Sequence, residues 1–135
     1  MVKKLLILKK YILFFAINLL IAQFSFGQSL GDYNSRASGP WNSIASWNIW
    51  NGSSWVAATT YPGQNLASPL PIVTILNSPV RHVITIQSSL TIPNEIKELK
   101  ISGGLTFGNG TSNLSQINLT TEQVTIDSTG DLKFD

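Results

Sequence analysis

Four tryptophans, Trp41, Trp47, Trp50 and Trp55, fall within one stretch, "GPWNSIASWNIWNGSSWVAATTYPG". They carry most of the binding chemistry this chain offers. A sugar ring lays its C–H face on an indole as an apolar group does, and nearby Asn and Ser side chains supply hydrogen bonds to its hydroxyls. Trp50 and Trp55 flank the turn "NGSS" and are expected to be partly exposed, as a pair on which a glycan stacks. Trp41 and Trp47 are expected to be buried as a structural cap, because bulky indoles left in water form an apolar patch.

The remaining candidates point less far. His82 is the only histidine and there is no cysteine, which leaves a zinc site without its usual ligands. His82 shares strand parity with Ile84 and Ile86, so a hydrogen-bonded histidine at a turn or core edge is expected. Asp127, Asp131 and Asp135 are oxygen donors spaced by four, as a hard cation such as calcium would require. They match neither the EF-hand loop nor the nonapeptide calcium repeat, and read as solvated turn residues. Glu95 and Glu98 are the carboxylates nearest to an acid–base pair for glycoside hydrolysis, but beside Lys97 and Lys100 they read as a charged, solvated face. No G-x-S-x-G nucleophile motif occurs. The stretches "SGG" and "GNGTSN" lack the lysine and helix of a phosphate loop. No catalytic residue, metal or cofactor is assigned, and the reading leans away from an enzyme.

The elements that must position these residues begin after a leader. Lys3, Lys4, Lys9 and Lys10 precede the apolar run "ILFFAINLLIA", and Ser25 and Gly27 stand before Gln28. A charged segment, an apolar segment and small residues in that order predict a signal peptide over 1–27, cleaved before Gln28. The apolar run is too short to span a bilayer, so membrane contact is expected only through the leader. The chain has nine basic and seven acidic residues. Four of the basic ones lie in the leader and all the acids beyond it, so the remainder is slightly acidic. Its five cations are scattered, which excludes a nucleic-acid surface.

Beyond the leader, apolar residues alternate at period two: Val73 and Ile75, Ile84 and Ile86, Leu90 and Ile92, Leu99 and Ile101, Leu105 and Phe107, Ile117 and Leu119, Val124 and Ile126, Leu132 and Phe134. These predict short strands separated by turn residues. Only "NEIKELKI" hints at a helix. The segments "ITIQSSLTI" (84–92), "LKISGGLTF" (99–107) and "VTIDSTGDLKF" (124–134) share one form, two short strands around a corner, which suits a coil of a β-solenoid. An antiparallel β-sandwich is the alternative. An open solenoid end exposes backbone groups and apolar side chains and needs a cap; the Trp-rich segment lies just before the first of these coils.

The stretch "GDYNSRASGPWNSIASWNIWNGSSWVAATTYPG" followed by "VTI" and "HVITI" resembles the N-terminal region of secreted β-helical surface proteins of flavobacteria and other Bacteroidetes, of the type IX secretion kind. The likeness covers about Gly31 to Phe107. It implies an all-β fold, the N-terminal part of a right-handed parallel β-helix or β-solenoid with a Trp-rich N-terminal cap. The expected boundaries are 1–27 signal peptide, 28–71 cap and 72–135 coils. Many proteins of that kind end in a C-terminal sorting domain, which is not read in this sequence, so an N-terminal fragment of a longer protein or an unusually short relative is expected. The leader, the Trp-rich cap and the coil-like repeats point to an exported, secreted or cell-surface structural or adhesion module; a module that binds a polysaccharide or surface glycan through Trp50 and Trp55 is a separate reading. The alternative is the N-terminal fragment of a carbohydrate-active β-helix enzyme, a polysaccharide lyase or hydrolase. Self-association through the last coil, where Leu132 and Phe134 are uncovered, is also expected.

Overall fold

The computed structural model describes residues 27–87, 90–108 and 118–134. The expected signal peptide lies outside them except for Gly27, as do Ile117 and Asp135. No described helix is long and apolar enough to cross a membrane.

The fold is all-β. Its strands are β1 (Tyr33–Ser35), β2 (Gly39–Pro40), β3 (Trp47–Trp50), β4 (Trp55–Ala57), β5 (Ile72–Ile75), β6 (Val83–Ile86), β7 (Ile96–Ile101), β8 (Gly104–Phe107), β9 (Thr121–Ile126) and β10 (Asp131–Phe134), with one 3-10 turn at Ile44–Ser46. They form a six-stranded sheet in the order β4-β3-β1-β5-β7-β9 and a four-stranded sheet in the order β10-β8-β6-β2. From β5 onward, successive strands fall alternately in the two sheets, and every pairing among them is parallel. The antiparallel sandwich is therefore set aside. Antiparallel pairing is confined to β1 with β3 and β3 with β4.

Two features of the stack differ from the sequence expectation. Strands β1 and β2 pair in parallel with β5 and β6, so the stacked part begins at Tyr33, inside the segment 28–71 read as cap. The repeat phase also differs. Corresponding pairs are Val73 with Leu99 and Val124 in one sheet, and Ile84 with Leu105 and Leu132 in the other. The in-phase unit before "LKISGGLTF" is thus Val73–Ile86, with a long corner, rather than 84–92. Leu90–Ile92 and the segment around Leu119 contribute one parallel bridge, Thr91 to Asn118. The helical hint at "NEIKELKI" becomes β7, whose Ile96, Leu99 and Ile101 are buried.

Alternation puts one face of each strand inward. Val73, Ile75, Ile84, Ile86, Leu99, Ile101 and Leu105 form the core with Tyr33, Trp41 and Trp47. Trp41 and Trp47 are fully buried and pack edge to face, with ring centroids 5.1 Å apart. A buried indole N–H needs an acceptor. Trp41 Nε1 donates to the Pro62 carbonyl at 3.0 Å and Trp47 Nε1 to the Trp41 carbonyl at 2.7 Å.

Corners stack as the strands do. The Ile75 carbonyl accepts the N–H groups of Ser102 and Gly103, and the Gly103 carbonyl accepts that of Asp131. Gly103 lies so close to the preceding corner that a Cβ would sit 2.5 Å from the Leu76 carbonyl oxygen and 3.1 Å from Ile75 Cγ2. Both are held by ladder bonds and packing, so neither can retreat. Gly103→Ala should lower stability by about 2 kcal/mol, in the usual range for overpacking, as a fall in the urea midpoint with little change in slope.

Candidate functional site

The β3–β4 hairpin continues the larger sheet beyond β1. Its turn is stiff because the Asn51 side-chain oxygen accepts the N–H groups of Ser53 and Ser54 and the Ser53 hydroxyl, at 2.9 to 3.0 Å. Gly52 takes the positive φ of 96° that the turn requires. Trp50 and Trp55 face each other across the hairpin and are half-buried. Their rings meet edge to face, centroids 5.4 Å apart and planes 63° apart. They are not a coplanar shelf. One ring presents its edge to the other, and a flat ligand finds one indole face at a time.

Strand parity decides what lies beside them. Asn48 pairs with Asn34, Asn34 with Thr74, and Thr74 with Lys100, so these four form one polar column on the outer face of the sheet, away from the core. Trp50, two residues after Asn48, and its partner Trp55 share that face. Trp55 walls a groove of about 250 Å³ whose lining includes Asp32, Asn34, Ile72, Thr74 and Lys100.

The groove mixes fixed and available groups. Asp32 is buried, and its two oxygens accept the N–H groups of Ser29 at 2.7 Å and Ile72 at 2.9 Å, tying the start of β1 to β5. Asn48 Nδ2 donates to Asn34 Oδ1 at 3.1 Å. Lys100 Nζ lies 3.4 Å from Glu98 Oε2, and Thr125 donates to Glu98 Oε1 at 3.0 Å. An indole wall, an amide, a hydroxyl and an ammonium over a flat strand floor can hold a polyhydroxylated ring by stacking and hydrogen bonds. Sequence reading singled out Trp55 but missed Asn34 and Thr74. Their types are ordinary, and only the register of separate strands joins them.

The other candidates are placed as follows. His82 Nδ1 shares a 2.8 Å hydrogen bond with Ser35 Oγ, which also accepts the Leu76 N–H at 2.8 Å. Ser35 is 1% exposed, so this serine and histidine knit β1 to the β5–β6 corner and present no nucleophile to solvent. Glu98 is engaged with Lys100 and Thr125, while Glu95 is exposed ahead of β7; the two do not form an acid–base pair. Asp131 binds Arg81 at 2.7 Å and lies 3.5 Å from Lys133. The first contact crosses Gly104, where a Cβ would stand 2.8 Å from Asp131 Oδ1 and 3.0 Å from Arg81 Nη2. Among the described residues no three His, Asp or Glu side chains gather as a metal site.

Asp127 closes the β9–β10 corner. Its Oδ1 accepts the Thr129 N–H at 2.8 Å, the Thr129 hydroxyl at 2.7 Å and the Gly130 N–H at 3.0 Å. Hydrogen bonding to Ser102 first, then to Thr129 and Gly130, lowers its pKa from 3.8 to about 2. A carboxylate whose folded pKa is depressed stabilises the fold above its unfolded value, and that contribution is lost as pH falls toward the folded one. Unfolding midpoints should therefore decline between about pH 4 and pH 2. Asp127→Asn should flatten this part of the profile and remove the low-pH carboxyl titration seen by NMR.

Compared with known proteins, the chain matches no family model, and no curated protein or solved structure is similar to it.

Proposed function

We propose that this chain is an exported β-solenoid segment of a secreted or cell-surface protein, acting as a structural and adhesive module that takes a glycan in the Trp55 groove. The leader-like residues 1–27 support export. Strands that alternate between two parallel sheets and stack in register support coils, and parallel crossovers are right-handed in nearly all proteins. Thr91 with Asn118, and the Asn94 N–H on the Gly63 carbonyl, mark where a third side of each coil would stack.

The Trp-rich segment then serves as the cap. Pro40 has no N–H to leave unpaired; its carbonyl accepts the Ser43 N–H and the Ser46 hydroxyl, while Trp47 takes up the Trp41 carbonyl. The smaller sheet is closed at β2 in this way, and the β3–β4 hairpin covers β1 in the larger one. Trp41 and Trp47 plug this end, and Trp55 is left over for a ligand.

The observation that carries the glycan reading is Trp55 standing beside the Asn34–Thr74–Lys100 column on a frame whose register the core fixes. Titrating polysaccharides, neutral and charged, while following tryptophan fluorescence should give a saturable change with at least one of them. Trp55→Ala should abolish it with a modest fall in melting temperature from the lost edge-to-face contact with Trp50, whereas Trp47→Ala should cost about 3–5 kcal/mol of stability. A flat response across a broad panel refutes the glycan reading; turnover of a polysaccharide refutes the non-enzymatic one.

A further inference from the structure

The groove beside Trp55 holds more negative charge than positive. Lys100 is the one cation among the described residues that line it, against the carboxylates of Asp32 in the lining and Glu98 at its side. Glu98 stands opposite Ile72 and two residues before Lys100, on the same outer face of the sheet. It already holds the Lys100 ammonium, at 3.4 Å, and is the more sheltered partner, with its side chain 17% exposed against 45% for Lys100. Asp32 is 4% exposed and heads β1, the strand between those of the two indoles and that of Lys100. The Trp50 N–H donates to its carbonyl at 2.8 Å, which fixes Asp32 beside the hairpin.

We infer that the groove takes a glycan free of carboxylate and sulfate groups, with Asp32 and Glu98 as the residues that turn acidic sugars away. The inference rests on the glycan reading above and narrows it to a substrate class. An acidic ring would bring a further anion to two carboxylates and a single ammonium that is already paired. Hydroxyl groups meet no such obstacle, because a carboxylate is acceptor-only and has about four lone-pair sites. Asp32 uses one on the Ser29 N–H and one on the Ile72 N–H, which leaves capacity for hydroxyl hydrogens.

Position decides how strongly each carboxylate acts. Exposed charges are screened by salt, and sheltered ones much less. Asp32 is pinned by backbone N–H groups from two segments, so it cannot swing away from an incoming anion. Glu98 is held by Thr125 at 3.0 Å as well as by Lys100, and a ligand anion that drew the ammonium to itself would leave Glu98 without its cation. Like charges set side by side in this way select for the ligand that lacks the charge. A ring stacked on Trp55 reaches β1 before it reaches β7, and so meets Asp32 before Lys100.

All ten strands lie between Tyr33 and Phe134, so the test uses the chain from Gln28 onward. Gln28 stands at the groove, and its α-amino group is acetylated so that Lys100 is the cation under test. Tryptophan fluorescence follows neutral and acidic oligosaccharides of matched linkage: glucan and glucuronan, mannan and mannuronan, galactan and galacturonan. At least one neutral member should bind, about tenfold tighter than its acidic counterpart. The ratio should shrink as salt rises without vanishing, because Asp32 is sheltered. Glu98→Gln, which keeps an oxygen for Thr125, should release Lys100 and cut the ratio to about threefold by tightening the acidic member; unchanged circular dichroism verifies the fold. Equal or tighter binding of the acidic members overturns this inference and leaves the glycan reading standing. A preference that neither salt nor Glu98→Gln moves overturns it too, since shape rather than charge then selects. A flat response to every member overturns both.

Discussion

Backbone hydrogen bonds between strands far apart in sequence carry this structure. From β5 onward no strand pairs with its sequence neighbour; each lies on the strand one unit earlier in its own sheet. The strands are four to six residues long, too short to hold on their own. They persist because an inward column, Tyr33–Val73–Leu99–Val124, fixes the register. A slip by one residue would turn every apolar side chain of a strand outward. The corners enforce the same register, since the Ile75 and Gly103 carbonyls receive the N–H groups of the next corner.

Polar side chains then do what cysteine does in many exported domains, which is to join segments distant along the chain. Asp32 holds β5 at Ile72, Ser35 holds Leu76 and His82, and Arg81 reaches Asp131 across Gly104. The first two links are sheltered from water and made largely to backbone N–H groups. Removing one partner there would leave a buried donor unsatisfied, a larger loss than the net worth of the bond. The Arg81–Asp131 pair is 40% exposed on both sides and contributes less.

The sequence made some of this legible and hid the rest for physical reasons. Alternation is a local signal, so Val73–Ile75, Ile84–Ile86, Leu99–Ile101, Leu105–Phe107, Val124–Ile126 and Leu132–Phe134 could be read as strands, and each is one. Repeat phase is not local. The corner at Leu76–His82 is much longer than that at Ser102–Gly103, so a unit sought by length was misaligned. Strands β1 and β2, "YNS" and "GP", carry no alternation; neighbours and side-chain bonds alone make them strands. His82 could be expected to find a hydrogen-bond partner. That the partner is Ser35 depends on β1 lying beside β5, which no spacing announces.

The groove follows from the same constraint as the core. Since Asn48 lies opposite Asn34, every second residue of the hairpin shares the face of Thr74 and Lys100, and this places Trp50 and Trp55 outside while Ile49 packs inward. Moving the hairpin by one residue would bury the two indoles and expose the core, so the register that excludes water also fixes where Trp55 stands. Side chains fixed in this way are pre-organised. A ligand taken on this face meets Trp55, Thr74 and Lys100 on paired strands, and less of its binding energy goes into ordering the protein than on a free loop.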